Sequence, residues 1–376
     1  MLGSNAWTIG RFRGVDVRID PSWSVIAFLV GYSFYVLLSF QFPELDGTGR
    51  VGLALAMTLV FFLGVLVHEI AHAWMALARG IEVHSITLYM FGGATHAELE
   101  TEDPTDELVI AGVGPVTSLV VAAVLWAVSR LVGDNPVGYA SGYLAWINMA
   151  LAVFNLLPGF PLDGGRVLRS LVWKANRDFV AATRLASRVG HAVGFAIMAI
   201  GLFLLLGGNL VNGLWLIAIG WFLAQSAQQS FTQMQVRRML RGVPARRMMS
   251  GGLVEIPGGL TLQQAVDDYF MRYDYNAFPV RVDGDRRRII TLSSVKRVPR
   301  EQWQSTLVDE HATALDDTCT ALADEPMDRV LDKLVRNEHH RVVVLDGGTV
   351  VGIITPRDLT RWLERSQALG MTESLT

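Results

Sequence analysis

Six long apolar stretches fill most of the first 230 residues of this chain, and each approaches the roughly 20 apolar residues that a helix needs to cross a bilayer. The chain is 51% hydrophobic and only 18% charged, with a mean hydropathy of +0.35. From Arg237 onward the sequence instead resembles that of a water-soluble α/β domain. We therefore predict a polytopic α-helical membrane body of about six transmembrane helices, followed by a soluble α/β domain. The predicted spans are about 22–40, 51–78, 108–131, 139–157, 190–207 and 212–230.

Basic residues in the short connections predict the orientation of these spans. Arginines are grouped before the first span, after the fourth and after the sixth, whereas the connections at 41–50, 132–138 and 207–211 contain Arg50 as their only basic residue. This alternation predicts a multi-pass protein of the cell membrane with both termini in the cytosol. The first apolar run starts at Trp23 without a small-residue cleavage site, so we expect this span to be retained. The abundance of Ala, Val, Arg and Gly suggests a bacterial source.

Charge and cysteine content exclude other kinds of protein. The formal net charge of −3 and the lack of a long basic stripe argue against nucleic acid as a partner. The single cysteine, Cys319, excludes an internal disulfide and a cysteine-rich metal site.

The segment between the second and third spans has two parts. The alternation in SITLYMF favours a strand, and Gly92-Gly93 indicates a turn, so we predict a hairpin at the membrane surface. The acidic run that follows is interpreted as a solvated loop, with contact to substrate as the alternative. Its members are Glu98, Glu100, Glu102, Asp103, Asp106 and Glu107.

The second span contains the motif H-E-x-x-H, as HEIAH at 68–72. Residues four apart lie on one face of a helix, so His68 and His72 can present their imidazoles to one ion. Glu69 is rotated away from that pair and can act on a water activated by the metal, since zinc lowers the pKa of water to about 7. Charged and polar groups inside a span are costly unless something compensates them, as a metal does. The motif therefore predicts a zinc site with Glu69 as the acid/base of peptide hydrolysis.

A catalytic zinc takes three protein ligands and keeps one open position. The fourth span runs into NLLPGFPLDGGRVLRS, where Pro158 and Pro161 break the helix and Gly164-Gly165 favour a sharp bend. Irregular backbone at membrane depth is tolerated where it lines a protein cavity. Asp163, at the centre of this stretch, is the predicted third ligand. The alternative is that Asp163 caps the helix that starts near Gly165.

HEIAH together with NLLPGFPLDGG is similar to the paired signature of the site-2 protease family, and the resemblance covers roughly residues 20–230. It implies an intramembrane zinc metalloprotease that cleaves single-span membrane substrates in the lipid bilayer. His68, His72 and Asp163 would then bind one Zn²⁺ per chain, with Glu69 as the catalyst.

The same resemblance assigns further residues of the membrane body. It implies that Asn155 and Pro158 help to hold substrate or shape the site. Small residues of the third span are similar to the family's motif around a Gly-Pro pair. These are Gly112, Gly114, Pro115 and Ser118.

The soluble part contains an internal repeat of about 64 residues. AVDDYFMRYDYNAFPVRVDGDRRRIITLSSVKR aligns with RVLDKLVRNEHHRVVVLDGGTVVGIITPRDLTR, and each copy predicts helix, strand, turn, strand, helix. The repeat resembles a pair of CBS (cystathionine-β-synthase-like) modules at about 244–300 and 307–365. We therefore predict a membrane metalloprotease domain at 1–236 and a cytosolic regulatory CBS pair at 237–376.

The resemblance to a CBS pair implies an adenine nucleotide as a regulator and a homodimer formed through the pair. In the second copy, Thr355 and Asp358 fall at the end of a strand and the start of a helix, where the aspartate can accept hydrogen bonds from ribose hydroxyls. The first copy has Ser294 at the position of Asp358. A plain helix cap formed by Thr355 and Asp358 is the alternative.

Two other classes of membrane protein account for parts of the sequence. In a CBS-gated transporter or channel, the histidines and the aspartate would belong to an ion pathway. In a catalytically idle binder of membrane proteins, they would carry out no chemistry. Glu69 argues against transport, which has no need of a water-activating carboxylate, and the filled catalytic positions argue against an idle protein. The remaining histidines are predicted to be structural or solvated, namely His84, His96, His191, His311, His339 and His340.

Overall fold

The chain is described by a computed structural model that covers residues 6–89, 92–97, 101, 103–251, 254–273, 275–282, 285–315, 319–337, 341–347 and 349–368. It divides into two compact units, Met1–Gln233 and Met234–Thr376. We call these the membrane unit and the second unit. The predicted domain limits, 1–236 and 237–376, stay predictions.

Among the described residues, seven helices belong wholly or mainly to the membrane unit, and six of them, 19 to 32 residues long, are apolar enough to cross a membrane. The predicted six-helix membrane body is therefore confirmed. The seventh helix, α5, is short and polar and lies between the fourth and fifth spans. The helices are α1 (Trp23–Gln41), α2 (Gly47–Ala78), α3 (Pro104–Val132), α4 (Pro136–Asn155), α5 (Asp163–Asn176), α6 (Phe179–Leu206) and α7 (Leu210–Leu240).

Polar capping residues begin several of these helices, which is why they extend beyond the apolar stretches. The predicted fifth span started at 190, but α6 begins at Phe179, where the Asp178 carboxylate accepts hydrogen bonds from two backbone N–H groups. The predicted sixth span ended at 230, whereas α7 continues to Leu240. Hydropathy marks the part of a helix suited to lipid, while capping and backbone hydrogen bonds decide where the helix ends.

A four-stranded sheet of order β1-β2-β3-β4 belongs to the membrane unit. Its strands are β1 (Trp7–Phe12), β2 (Val15–Ile19), β3 (Val83–Tyr89) and β4 (Gly92–Ala97). The β3–β4 hairpin agrees with the prediction, but Gly92 and Gly93 are not its turn, since they pair with Tyr89 and Leu88 as residues of β4. The turn positions, 90–91, lie outside the described residues.

The first two strands were not predicted, because their arginines were interpreted only as orientation signals. Hydrogen bonds from Arg18 and Arg11 to Asp16 hold the pKa of that carboxyl below its usual value, and the one from Arg11 also joins β1 to β2. β2 also pairs in parallel with β3. The sheet packs on the end of α2 and the start of α3 through the buried side chains of Val15, Ala73, Ala76, Val83, Ile86 and Ile110.

The second unit contains two smaller sheets, of order β5-β6-β7-β8 and β11-β10-β9. In each copy of the repeat the described residues form helix, strand, strand and helix in the predicted order, so the α/β prediction is confirmed; positions 283–284 and 348, between the paired strands, lie outside the described residues. The first part contains β5 (Ile256–Pro257), α8 (Leu262–Ala265), β6 (Ala277–Val282), β7 (Asp285–Thr291), α9 (Leu292–Lys296), α10 (Val308–His311) and β8 (Thr313–Ala314). The second contains β9 (Thr320–Leu322), α11 (Met327–Arg336), β10 (Val342–Asp346), β11 (Thr349–Ile354) and α12 (Pro356–Ala368).

The two copies share a small apolar core. Ala277 and Ile289 of the first copy pack with Val343 and Ile353 of the second. The sheets of the two repeats are therefore held against each other, because each repeat covers apolar side chains that the other would leave exposed.

Candidate metal centre

Three side chains of the membrane unit converge on one point. His68 and His72 extend from α2, and Asp163 is the first residue of α5. The two Nε2 atoms lie 3.1 Å apart, and Oδ2 of Asp163 lies 3.2 Å from Nε2 of His68 and 3.3 Å from Nε2 of His72. Ligand atoms around a tetrahedral zinc, each about 2.0–2.1 Å from the ion, are about 3.3 Å apart. The three atoms thus form one face of a tetrahedron of the size that zinc requires.

The other ring nitrogen of each histidine is held by α3. Nδ1 of His72 lies 2.7 Å from the carbonyl oxygen of Ile110, and Nδ1 of His68 lies 2.9 Å from the hydroxyl of Ser118. A carbonyl oxygen only accepts, so Nδ1 of His72 carries a proton and donates it. When both imidazoles are neutral and carry their proton on Nδ1, the Nε2 atom of each has a lone pair that faces the carboxylate of Asp163. Three converging acceptors repel one another unless a cation lies between them, so the donor set fits a zinc ion.

Gly114 allows α3 to come this close. A β-carbon at this position would overlap Nε2 of His72 and lie 2.7 Å from Nε2 of His68. Ile110, Gly114 and Ser118 are spaced four apart, so one face of α3 supplies both hydrogen-bond partners and the space between them. Gly112 has open space around it and is not needed for this approach.

The segment before Asp163 differs in detail from the prediction. Helix α4 ends at Asn155, and the residue that caps α5 is Leu162, which makes no side-chain capping hydrogen bond. The helix-cap alternative for Asp163 therefore does not describe its contacts. Gly164 and Gly165 lie in the first turn of α5 and do not form a bend. They are required because β-carbons there would overlap the backbone of residues 156–160.

The remaining predicted residues of the membrane unit lie on α2, at the end of α4, in the connection to α5 and on α6. Glu69 is half-buried and follows His68 directly on α2. Asn155 is half-buried at the end of α4, and Pro158 is exposed in the connection to α5. His191 is half-buried, with Nδ1 3.3 Å from the carbonyl oxygen of Ala224, as expected for a structural histidine. The side chains of His84, His96, His339 and His340 lie outside the described residues.

The acidic run was predicted to be solvated, and for Glu107 this prediction is wrong. Its side chain is only 1% exposed and forms an ion pair with Arg169 of α5. Asp103 caps α3 by accepting a hydrogen bond from the N–H of Thr105, which lowers the pKa of its carboxyl, and Asp106 pairs with Arg79. Glu98, Glu100 and Glu102 lie outside the described residues. Helical spacing could have identified Glu107, because Ile110, Ala111 and Gly114 share its buried face.

A separate candidate site lies in the second unit. Oδ2 of Asp358 accepts hydrogen bonds from the N–H and the hydroxyl of Thr355 at 2.9 and 2.6 Å, and Oδ1 accepts one from Ser250 at 2.7 Å. Thr355 thus sits where β11 ends and α12 begins, as predicted. The contacts within this pair are also those of the helix-cap alternative. In the first copy, Thr291 accepts a hydrogen bond from the N–H of Ser294 at 3.1 Å.

A helical membrane body with three converging side chains that could hold a metal ion, and a glutamate next to one of them in sequence, is typical of a class of protein, the membrane-embedded zinc metalloproteases. The profile of peptidase family M50 matches residues 56–140 and 134–201, and that of the CBS domain matches residues 316–365. The chain is 33% identical over 369 residues to sll0528 of Synechocystis, with 97% of each protein covered. It is 31% identical over 366 residues to Rip3 of Mycobacterium tuberculosis, covering 96% of this chain and 93% of that protein.

Both relatives carry the description zinc metalloprotease. This chain therefore belongs to peptidase family M50, the site-2 proteases, and the predicted zinc metalloprotease is confirmed. It is a multi-pass membrane hydrolase with a CBS domain. Among solved structures, the site-2 protease of Methanocaldococcus jannaschii aligns with a TM-score of 0.42 and 26% identity, covering 60% of this chain and 95% of that one.

Proposed function

We propose that this protein hydrolyses peptide bonds of single-span membrane proteins within the lipid bilayer, with His68, His72 and Asp163 as ligands of one zinc ion. The observation that carries the proposal is the triangle of ligand atoms, 3.1 to 3.3 Å on a side, of which two belong to a membrane-spanning helix, α2, and the third to α5. His68 precedes the end of α2, at Ala78, by about 15 Å of helix. In a hydrocarbon core about 30 Å thick, that depth favours substrates whose scissile bond is inside the membrane.

Glu69 is the proposed general acid/base. A zinc ion held by these ligands supplies Lewis acidity, which makes water more acidic and polarises a carbonyl group. The Glu69 carboxylate takes a proton from the attacking water while the water oxygen bonds to the carbonyl carbon of the substrate. It then gives that proton to the amide nitrogen as the C–N bond breaks. His68 and His72 stay oriented throughout, because their Nδ1 protons are held by Ser118 and Ile110.

The connection between α4 and α5 is the proposed substrate-binding segment. Asn155 can offer an amide to an extended substrate backbone, and exposed Pro158 donates no backbone hydrogen bond of its own. Both residues lie within eight positions of Asp163, so a substrate held there would pass close to the zinc ligands.

Lipid is the other proposed partner of the membrane unit. Large apolar side chains remain exposed on the outer faces of its helices, as an apolar solvent requires. Examples are Phe28, Leu59, Trp126, Phe203 and Leu206. This supports placement of all six long helices in a bilayer, and we retain the prediction that both termini are cytosolic in a bacterial cell.

We also propose that an adenine nucleotide binds Thr355 and Asp358 and regulates the protease, and that the CBS pair forms a homodimer. A carboxylate oxygen can accept about two hydrogen bonds, and Oδ1 of Asp358 accepts one, from Ser250. Oδ1 therefore keeps capacity for a ribose hydroxyl even while Oδ2 caps α12. Membership of the M50 family favours this regulated protease over a CBS-gated transporter.

The proposed activity is tested by comparing membrane-protein fragments in cells that carry the native chain or Glu69→Gln. We expect fragments cut within single-span segments to depend on the native chain and their full-length precursors to accumulate in the variant. Glu44→Gln makes the same chemical change at an exposed glutamate between α1 and α2 and should leave the fragments unchanged. Identical fragments in native and Glu69→Gln cells would contradict the proposal.

A further inference from the structure

A buried ion pair joins the two helices that flank the metal centre. Glu107 belongs to α3 and Arg169 to α5, and their side chains are 1% and 9% exposed. Nε of Arg169 lies 2.9 Å from Oε1 of Glu107, and Nη2 of Arg169 contacts the same oxygen. Arg166 is a more distant cation, with Nε 3.7 Å from Oε1. The charged contacts between the two helices thus converge on one carboxylate oxygen, Oε1 of Glu107.

Each partner lies close to a residue of the metal centre. Glu107 precedes Ile110 by three residues on α3, and the carbonyl oxygen of Ile110 accepts the hydrogen bond from His72. Arg169 follows Asp163 by six residues on α5, which is about 9 Å along the helix. The ion pair therefore connects α3, whose Ile110 supports the proposed ligand His72, to α5, which carries the proposed ligand Asp163.

Arg169 also lies over two aromatic rings. Its guanidinium carbon lies 5.0 Å from the ring centre of Phe160 and 4.7 Å from that of Phe179. Phe160 belongs to the connection that leads into Asp163, so Arg169 restrains the chain both before and after this residue. A rigid helix held at Arg169 cannot rotate about its axis without moving the Asp163 carboxylate.

The chemistry of the ion pair indicates that it sets the relative orientation of α3 and α5, in addition to filling space between them. Buried ion pairs contribute little net stability compared with apolar residues of similar size, because both charges lose their hydration. Oε2 of Glu107 is buried without a hydrogen-bond partner among the described residues, which adds a further cost. Charge-assisted hydrogen bonds, unlike apolar contacts, set a distance and an angle.

We infer that Glu107 and Arg169 are positioning residues that hold Asp163 at the correct distance from His68 and His72, and so set the zinc affinity of the site. The inference rests on the proposed ligand set. It assigns these residues no contact with substrate or with the ion.

The test uses the full-length protein in detergent, with Glu107→Gln and the milder Arg169→Lys as variants. Asp106→Asn is the matched control, since Asp106 is the neighbouring acid of α3 and its ion pair with Arg79 is about one-third exposed. Zinc affinity is measured by competition with a chromophoric chelator. The visible spectrum after replacement by Co²⁺ reports ligand geometry, and unfolding midpoints are recorded with zinc and after chelation.

We expect Glu107→Gln to weaken zinc binding by roughly tenfold, the lower end of the effect of losing a residue that bonds a ligand directly, because Glu107 acts on the ligands through Arg169 and the two helices. The Co²⁺ spectrum should change, and the rise in unfolding midpoint that zinc produces should shrink. Arg169→Lys should give smaller changes in the same direction, because lysine keeps the charge but loses the planar fork. Asp106→Asn should leave zinc affinity and the spectrum as in the native protein.

Native zinc affinity with a native Co²⁺ spectrum in both variants would overturn the inference, even if both unfolding midpoints fell equally. If Glu107→Gln does not fold, Arg169→Lys decides alone by the same criteria. If the native protein itself binds no zinc, the proposed function fails. If the native protein and both variants bind zinc equally well, only the positioning role fails.

Discussion

The Nδ1 atom of His72 on α2 lies 2.7 Å from the backbone carbonyl oxygen of Ile110 on α3 and donates a hydrogen bond to it. His68 makes the corresponding contact with a side chain, the Ser118 hydroxyl, at 2.9 Å. His72 is thus oriented by a backbone carbonyl, which a side-chain substitution does not remove. His68 is oriented by the Ser118 hydroxyl, which a single substitution removes. This difference makes the His68 support directly testable.

Ser118→Ala should weaken zinc binding by roughly tenfold, because Nδ1 of buried His68 loses its partner and the ring is less firmly held. Chelator competition on the purified protein measures the change. Ser141→Ala is the control, since among the described residues the Ser141 hydroxyl donates to the carbonyl of Val137 in its own helix and makes no hydrogen bond with either histidine. Equal zinc affinity in Ser118→Ala and the native protein would exclude a supporting role for this hydroxyl.

Gly114→Ala should strongly reduce zinc content, because the new methyl group would overlap Nε2 of His72. Gly112→Ala is the matched control two residues earlier on the same helix, where the methyl group meets open space. It should retain zinc, and its added helix propensity should not harm stability. Similar zinc content in the two variants, by metal analysis, would show that α3 does not approach the histidines as described.

His68→Ala and Asp163→Ala should each leave the purified protein with much less than the expected one zinc per chain, because two ligands rarely retain the ion. His191→Ala, which removes a half-buried histidine of α6, should not alter zinc content. Full zinc retention in both ligand variants would remove these residues from the ligand set.

Reporters fused after Gly47 and after Asn209 should be found outside the cell, and reporters fused after Lys174 or Thr376 in the cytosol. The reason is that Lys and Arg are concentrated in the connections assigned to the cytosol. Reporter activity in intact cells measures the orientation. A cytosolic signal at Gly47 would invert the predicted topology.

Asp358→Ala should weaken the binding of ATP, ADP or AMP to the full-length protein about tenfold or more, because the variant lacks the proposed acceptor of ribose hydrogen bonds. Ser294→Ala, the equivalent position of the first copy, should have little effect. Calorimetry measures the affinity, and the unfolding midpoint without nucleotide separates the loss of the α12 cap from the loss of binding. If the native protein binds no adenine nucleotide, the helix-cap interpretation of Thr355 and Asp358 is sufficient.

Much of the membrane body was predictable because its signals are local. A transmembrane helix satisfies its own backbone hydrogen bonds, so a long apolar stretch is enough to indicate it. The spacing of His68 and His72 places both on one helix face for the same reason. The repeat in the second unit was visible from two aligned copies of a strand-turn-strand pattern.

Helix ends and the first sheet were less predictable. The start of α6 at Phe179 depends on a capping interaction by Asp178 in a polar segment. β1 and β2 form a sheet because β2 pairs with β3, a strand more than 60 residues later in the chain. Neither feature leaves a strong apolar pattern of its own.

The amino-acid sequence alone determined six membrane-spanning helices, a repeated α/β domain and two histidines with a glutamate on one helix, because each follows from the spacing of residues along a single segment. Only the tertiary structure decided that Asp163 meets those histidines through its Oδ2 atom and that α3 supports them at Ile110 and Ser118. It also decided that Glu107 is a buried partner of Arg169 rather than a solvated acid. Helical spacing places Glu107 on the buried face of α3, but it does not identify the distant segment that supplies a partner for its charge, because that depends on which helix packs against this face.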